Sequence, residues 1–437
     1  MTAKSKGSNG EAERAFLASI RWGDTSLEEA EESLRELCSL AETAGATVIG
    51  TLMQARARPD AATLMGKGKL DELSEAVIST ETDLVILDCE LSPSQQRNLE
   101  NKLQLKVLDR TALILDIFAL HAHSKEGKAQ VEMAQLRYGL TRLTGRGIEL
   151  SRLGGGIGTR GPGETKLEVD RRRINTRIRT LNRELKDLSR VRRVKRKLRE
   201  RKSVPTFSLV GYTNAGKSSL LNALTDAGVI VEDQLFSTLD PITRHIDLPG
   251  NRRAVITDTV GFINNLPHQL VEAFKSTLEE VKEADVLIHI IDASSHDISR
   301  KINAVHEVLE ELGADDLRTL YVLNKVDLLQ EEERYELCRK WPEGVFASTI
   351  SSEGLADLRE KMSASLETTR LMRLIIPHSK GDLLSLVYRR GQVLSIETDE
   401  AGYHLAAEIP RDLIHRFTTF MADSEPAEDG GEHGDDV

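Results

Sequence analysis

Aromatic side chains make up only 4% of this 437-residue chain, and cysteines number three. Cys38, Cys89 and Cys338 lie far apart and match no metal-binding spacing, so we expect them as buried thiols in a reducing cytosol. No apolar run approaches the ~20 residues that a membrane-spanning helix needs, which excludes a helical span. The opening MTAKSKGSNGEAER has no apolar signal core, so export is not expected and we place the protein in the cytoplasm. A general excess of positive charge is missing too: the net charge of −11 argues against a protein that coats nucleic acid.

What is present suits a soluble globular protein, with 39% hydrophobic and 30% charged residues, and the length calls for two to four domains. The charge is unevenly spread. Residues 171 to 202 hold sixteen Lys or Arg against three acids, a local charge of +13 that leaves −24 on the remainder. The last sixteen residues carry seven acids and no base, so 422–437 is expected to be disordered, as is 1–11.

Residues 12–122 alternate in pattern as a small α/β domain. Phe16 to Trp22, Thr47 to Met53 and the buried-type run DLVILD at 83–88 predict strands, and Leu27 to Leu40 has helical periodicity. Ser92 followed by Pro93 predicts a helix start. In 123–203, Met133, Leu136, Leu140 and Leu143 form one apolar stripe and Ile174, Ile178, Leu181, Leu185 and Leu188 another, extended by Val191, Val194 and Leu198. These read as the seam of a basic antiparallel helical hairpin with a glycine-rich tip at 144–163. A second α/β alternation occupies 204–369. A short α+β segment, strand-helix-strand-strand-helix, closes the chain at 370–421.

The strongest chemical signal is FSLVGYTNAGKSSLLNAL at 207–224. An apolar strand, the spacing G-x-x-x-x-G-K-S and an apolar helical pattern make a phosphate loop in its proper context. Gly211, Tyr212, Thr213, Asn214, Ala215, Gly216, Lys217, Ser218 and Ser219 are therefore expected at a nucleotide. Lys217 supplies a point charge to the β- and γ-phosphates, and the Ser218 hydroxyl supplies a ligand to Mg²⁺. Asn324-Lys325-Val326-Asp327 follows the strand pattern TLYVL. A carboxylate at Asp327 can accept from both guanine N1–H and N2–H₂, a donor pair that adenine lacks, so GTP and GDP are the expected ligands.

Asp258-Thr259-Val260-Gly261 resembles the D-x-x-G signature of GTPases. There Asp258 would hold Mg²⁺ through water and the Gly261 N–H would sense the γ-phosphate. Thr238 matches the switch threonine that completes the metal shell, and Phe236, Ser237, Leu239 and Asp240 are expected to line the nucleotide around it. Ser348-Thr349-Ile350 takes the place of the loop that gives backbone N–H to guanine O6, with Thr349 in place of the usual alanine. Lys217, Thr238 and Gly261 are the residues expected to act in hydrolysis. Phe262 follows Gly261 where many GTPases have a water-orienting glutamine. We expect slow intrinsic hydrolysis, with the missing group supplied elsewhere in the chain or by a partner. The alternative is that Phe262 packs in the core and a neighbour orients the water.

Together these residues resemble the HflX family of translational GTPases, in the Obg-HflX-like group of the TRAFAC class. GGGIGTRGPGETKLEVDRRRI at 154–174, LMGKGKLDEL at 64–73, DQLFSTLDP at 233–241 and DTVGFI at 258–263 carry the likeness, which spans about residues 15 to 420. The resemblance implies binding to the large ribosomal subunit and its rRNA, GTP hydrolysis in response to ribosomes, and splitting of stalled ribosomes. It also implies a hairpin tip that approaches the peptidyl transferase centre. For some members a further nucleotide-hydrolysing or RNA-remodelling role is attached to the N-terminal domain. Nothing demands more than a monomer.

The tip contains G-x-G-x-x-G at 156–161, but a leucine-striped helix precedes it instead of a strand, so a dinucleotide site is not expected. Composition alone leaves this loop equally balanced between an RNA probe and a plain surface loop. The resemblance favours RNA, with Arg146, Arg152, Arg160 and Lys166 as contacts. The Gly66–Lys69 run lacks phosphate-loop spacing and reads as an ordinary helix entry. Two rivals remain, a regulatory GTPase acting on a non-ribosomal RNA or protein and an RNA-binding protein that uses GTP only structurally.

Overall fold

The computed structural model describes residues 12–143, 162–200, 204–225, 235–236, 238–250, 252–264, 280–295, 297–366, 369–399, 402–410 and 413–421. Both termini expected as disordered, Ser237, and the tip residues Arg146, Arg152 and Arg160 lie outside the described residues. Lys166 falls in a helix whose side chains are described for residues 168–190. Two compact units are present, Met1–Leu358 and Arg359–Val437, dividing within the helix Leu355–Ser365.

In the first unit, β1 (Arg14–Arg21), α1 (Leu27–Thr43), β2 (Thr47–Ala55), α2 (Lys67–Ser79), β3 (Leu84–Leu87), α3 (Pro93–Leu103) and β4 (Lys106–Asp109) build a parallel sheet of order β2-β1-β3-β4. All four residues of β3 are buried, as an apolar run covered on both faces requires. Ser92 starts α3 as expected: its hydroxyl accepts from Gln95 N, Gln95 returns a bond to Ser92 N, and Pro93 sits at the first turn. α4 (Arg110–His121) is buried along most of its surface, and Asp109 caps it by accepting from Ala112 N at 2.8 Å.

α5 (Lys125–Leu143) and α6 (Pro162–Glu200) form the antiparallel hairpin. Ala129, Met133 and Leu181 are buried in its seam, with Leu136, Ile178 and Leu185 packed against them. Arg177 grips Glu132 with two parallel bonds of 2.6 and 2.7 Å.

The second sheet contains β5 (Thr206–Gly211), β6 (Ile242–Leu248), β7 (Arg252–Asp258), β8 (Val286–Asp292), β9 (Thr319–Asn324) and β10 (Val345–Phe346). Its order is β10-β9-β8-β5-β7-β6, parallel except for the β6–β7 pair. α7 (Lys217–Thr225), α8 (Ile298–Leu312) and α9 (Glu331–Lys340) accompany it, and α10 (Leu355–Ser365) follows across the division between the units. The strand order reverses at β5, and the crevice beyond the carboxyl ends of strands at such a point is where α/β sheets bind ligands. One core runs across both sheets, joining Leu37, Ile114 and Phe118 to Tyr212, Phe236, Leu239 and Phe262.

The second unit holds β11 (Thr369–Ile376), α11 (Gly381–Arg390), β12 (Gln392–Thr398), β13 (Tyr403–Pro410) and α12 (Ile414–Phe417). Its antiparallel sheet has the order β11-β13-β12 around a small core of Leu374, Val387, Leu405 and Phe417. No described helix is long and apolar enough to cross a membrane. The cysteines correct the expectation of buried thiols. Cys38 and Cys89 are half-buried and Cys338 is exposed, because its place on α9 faces water where no residue of that helix is buried.

Candidate functional site

The turn between β5 and α7 wraps tightly enough to need its glycines. Gly211 has φ +152°, and a Cβ there would overlap the Ile290 carbonyl; Gly216 has φ +96°, and a Cβ would overlap the Asn324 amide. The turn is also tied to the segment after β7: Thr213 N donates to Phe262 O at 2.7 Å and Phe262 N to Gly211 O at 3.1 Å. Gly261 passes so close that a Cβ would stand 3.0 Å from Lys217 Nζ.

Lys217 is buried and donates to the carbonyls of Gly211 (3.1 Å) and Tyr212 (2.7 Å). Burial pulls its ammonium down to about 8, with Asp258 opposing the shift. Beside it, Ser218 Oγ donates to Asp258 Oδ2 at 2.6 Å and lies 2.8 Å from Thr238 Oγ1. Burial raises the Asp258 carboxyl against the lowering influence of Lys217, Ser218 and Thr238. Asp258 Oδ1 is buried without a hydrogen-bond partner among the described residues. Two hydroxyls and a carboxylate with an orphaned oxygen form an all-oxygen set of the kind Mg²⁺ takes. Thr259 turns the other way, its hydroxyl donating to Leu209 O at 2.6 Å, and Val260 is buried in the shared core. Ser219 follows on α7, half-buried.

The base-binding candidates join this cluster through Asn324, whose amide donates to Ala215 O at 2.9 Å. Lys325 adopts left-handed backbone geometry and pairs with Asp292 at 2.8 Å. Val326 N donates to Ala347 O at 3.3 Å, so the loop at Ser348 lies alongside. Ser348 is buried and its hydroxyl accepts from Ile350 N and Ser351 N, at 3.2 and 3.1 Å, which shapes the turn. Thr349 is half-buried, while Asp327 and Ile350 are exposed.

Several expected site residues send their side chains elsewhere. Phe236 is buried edge-to-face against Phe118 of α4 with centroids 4.7 Å apart, and Leu239 is buried in the same core. The Asp240 carboxylate accepts from His123 N (3.1 Å), Ser124 N (2.6 Å) and the Ser124 hydroxyl. These three side chains therefore turn to the N-terminal domain and hairpin root. Any nucleotide contact from them falls to the main chain. Phe262 is 1% exposed in the shared core, where an apolar ring belongs and from which it orients no water.

Sequence reading missed the clamp on the far side of the loop. The Tyr212 hydroxyl donates to Glu36 and accepts from Asn264 N at 2.7 Å. Glu36 also pairs with buried Arg110, which holds Asp88 at 2.7 Å. Burial drives the Tyr212 phenol up, with Glu36 adding to the rise. Only a charge among the apolar residues of α4 hinted at this. A cleft of about 320 Å³ opens here, lined by Arg35 and Glu36 of α1 and by Tyr212, Asn214 and Asp292.

Three family descriptions match consecutive stretches of the chain. They are "GTP-binding GTPase N-terminal" over residues 31–119, "GTP-binding GTPase Middle Region" over 121–199, and "50S ribosome-binding GTPase" over 206–325. A protein of Caldanaerobacter subterraneus named GTPase HflX is 48% identical over 414 residues, 94% of each chain. The protein of that name from Escherichia coli K12 is 44% identical over 361 residues, 82% of this chain and 85% of its own. A crystal structure of a GTP-binding protein from Sulfolobus solfataricus in complex with GDP is 27% identical. It covers 81% of this chain and 98% of its own, with a TM-score of 0.42.

Proposed function

This chain belongs to the HflX family of GTPases and hydrolyses GTP, and from that premise we propose that it acts on the large ribosomal subunit and splits or recycles stalled ribosomes. The observation that carries the reading is the long helix α6. Ile178, Leu181 and Leu185 of its apolar stripe pack on α5, while Arg171, Arg172, Arg179, Arg183 and Lys186 all face solvent. Exposed cations spaced along a rigid rod suit an RNA backbone, and binding through them weakens with salt. A 39-residue helix, which includes Lys166, reaches about 58 Å, long enough for the loop with Arg146, Arg152 and Arg160 to meet RNA away from the GTPase domain. The family description naming 50S binding supports the same partner.

In the GTPase site, Lys217 would place its charge on the β- and γ-phosphates and the amides of 211–218 would surround them. Ser218 and Thr238 would hold Mg²⁺ directly and Asp258 through water. When bound, the ion offsets the charge that develops on the phosphate oxygens. The N–H of Gly261 would read the γ-phosphate. Asp327 would select guanine, and the amides of Ser348, Thr349 and Ile350 would reach O6. Hydrolysis adds water to the γ-phosphorus and breaks its bond to the bridging oxygen. Buried Phe262 cannot orient that water, so the reading puts the missing help on the ribosome.

The test is GTP turnover with and without purified 50S subunits at low and moderate salt. Strong stimulation that fades as salt rises is the expected result. No stimulation and no co-sedimentation, with GTP still hydrolysed, would sink the ribosomal reading and redirect the search to another RNA or a protein.

A further inference from the structure

Thr238 and Asp240 stand two residues apart in one segment, yet different parts of the molecule hold them. Thr238 Oγ1 meets Ser218 beside Asp258. Asp240 accepts from His123 N, Ser124 N and the Ser124 hydroxyl at the root of α5. Both amides lead into the first turn of α5, where negative charge is favourable. Asp240 therefore holds the residue that starts a hairpin helix from another domain.

Two further features fit the cap. Ser124 Oγ accepts from Gly127 N at 2.8 Å, and a Cβ on Gly127 would overlap the Asp240 carboxylate. A glycine inside a helix is less favourable than alanine, and here it leaves the room that the carboxylate occupies. On either side of Thr238 the segment is anchored as well, by Leu239 buried in the shared core and by Phe236 against Phe118.

We propose that Asp240 is a positioning residue. By holding Ser124, the residue that caps α5, it fixes the main chain that presents the Thr238 hydroxyl to the metal-holding cluster, and the root of the hairpin thereby senses whether Thr238 is engaged. The inference rests on Thr238 being a metal ligand in the triphosphate state. A diphosphate complex does not need that ligand, so the effect belongs to GTP and not to GDP.

The experiment measures affinity for a non-hydrolysable GTP analogue and for GDP across a Mg²⁺ titration, together with nucleotide-dependent hydrogen exchange at residues 123–128. Asp240→Ala, Gly127→Ala and Thr238→Ala are compared with the parent protein. The expected result for Asp240→Ala is about a tenfold loss for the analogue, a raised Mg²⁺ requirement and GDP affinity within about twofold. Gly127→Ala should do the same although the switch segment is untouched. In the parent protein, exchange at 123–128 should be slower with the analogue and Mg²⁺ than with GDP, and that difference should vanish in Asp240→Ala.

Equal losses for both nucleotides would make Asp240 merely structural and overturn the proposal. So would an unchanged ratio in both cap variants while Thr238→Ala lowers it. If Thr238→Ala itself changes neither ratio nor Mg²⁺ requirement, the metal-ligand reading of Thr238 has failed, and this inference falls with it. Should Asp240→Ala not fold, Gly127→Ala decides.

Discussion

Asp327, the residue proposed to select the base, sits exposed on a short 3₁₀ turn. A guanine would meet it with two donors, while any other base leaves a desolvated charge unpaired. Asp327→Asn should lower GTP affinity by roughly 100-fold and raise the relative affinity for xanthosine triphosphate, as read by competition binding. Unchanged selectivity would remove Asp327 from the base site. His289 makes a prediction of another kind. Burial, with smaller pushes from His306 and Lys217, takes its ring from 6.5 down to about 3. Between those values the unfolded chain binds a proton that the folded chain refuses, so stability falls as pH drops through that window. At pH 5 the loss amounts to about 2 kcal/mol. Denaturant unfolding at pH 7.5 and 5.0 should show a smaller acid loss in His289→Leu than in the parent protein; equal losses would mean the ring titrates normally. Residues such as Gly211 and Lys217 were legible because a phosphate loop is local, with spacing along the chain equal to spacing in the fold. The partner of Tyr212 was not, since Glu36 is remote in sequence and only packing brings it near.

Helices and strands were readable wherever the covering partner imposes a simple period. The Ser92–Pro93 start, the buried run of β3 and the strand-helix-strand-strand-helix order of the second unit all appear in the fold. The hairpin stripes meet at Met133, Leu136, Ile178, Leu181 and Leu185. Leu181 is the most enclosed of them, so Leu181→Ala should cost about 2–4 kcal/mol, felt mainly in the hairpin because its seam is a cluster of its own. Faster hydrogen exchange across α5 and α6 with unchanged nucleotide affinity is the expected outcome; a matching fall in nucleotide affinity would mean that the seam supports the GTPase site directly. Boundaries were less legible. β1 begins at Arg14, two residues before the apolar run, because pairing with β2 satisfies the backbone there regardless of side chain. Gly127 stood in plain view as a glycine inside a helical pattern, but what it makes room for comes from more than a hundred residues away.

The N-terminal domain and the GTPase domain are two sheets on one continuous core, and the Tyr212 hydroxyl ties the GTPase domain to Glu36 of the buried Glu36–Arg110–Asp88 cluster. Removing one member of such a buried group leaves a charge without compensation, which gives this junction a defined geometry. Both segments flanking the phosphate loop are held across it: Asn264 through the Tyr212 hydroxyl, and Phe236 to Asp240 through α4 and the root of α5. By itself the sequence determined the family, the nucleotide chemistry and the basic arm, because these depend on residue types at short, regular spacing. Only the tertiary structure decided where Phe236, Leu239, Asp240 and Phe262 point. Their side chains answer to partners far off in the chain, and burial and the amides leading into α5, which no local period encodes, choose those partners.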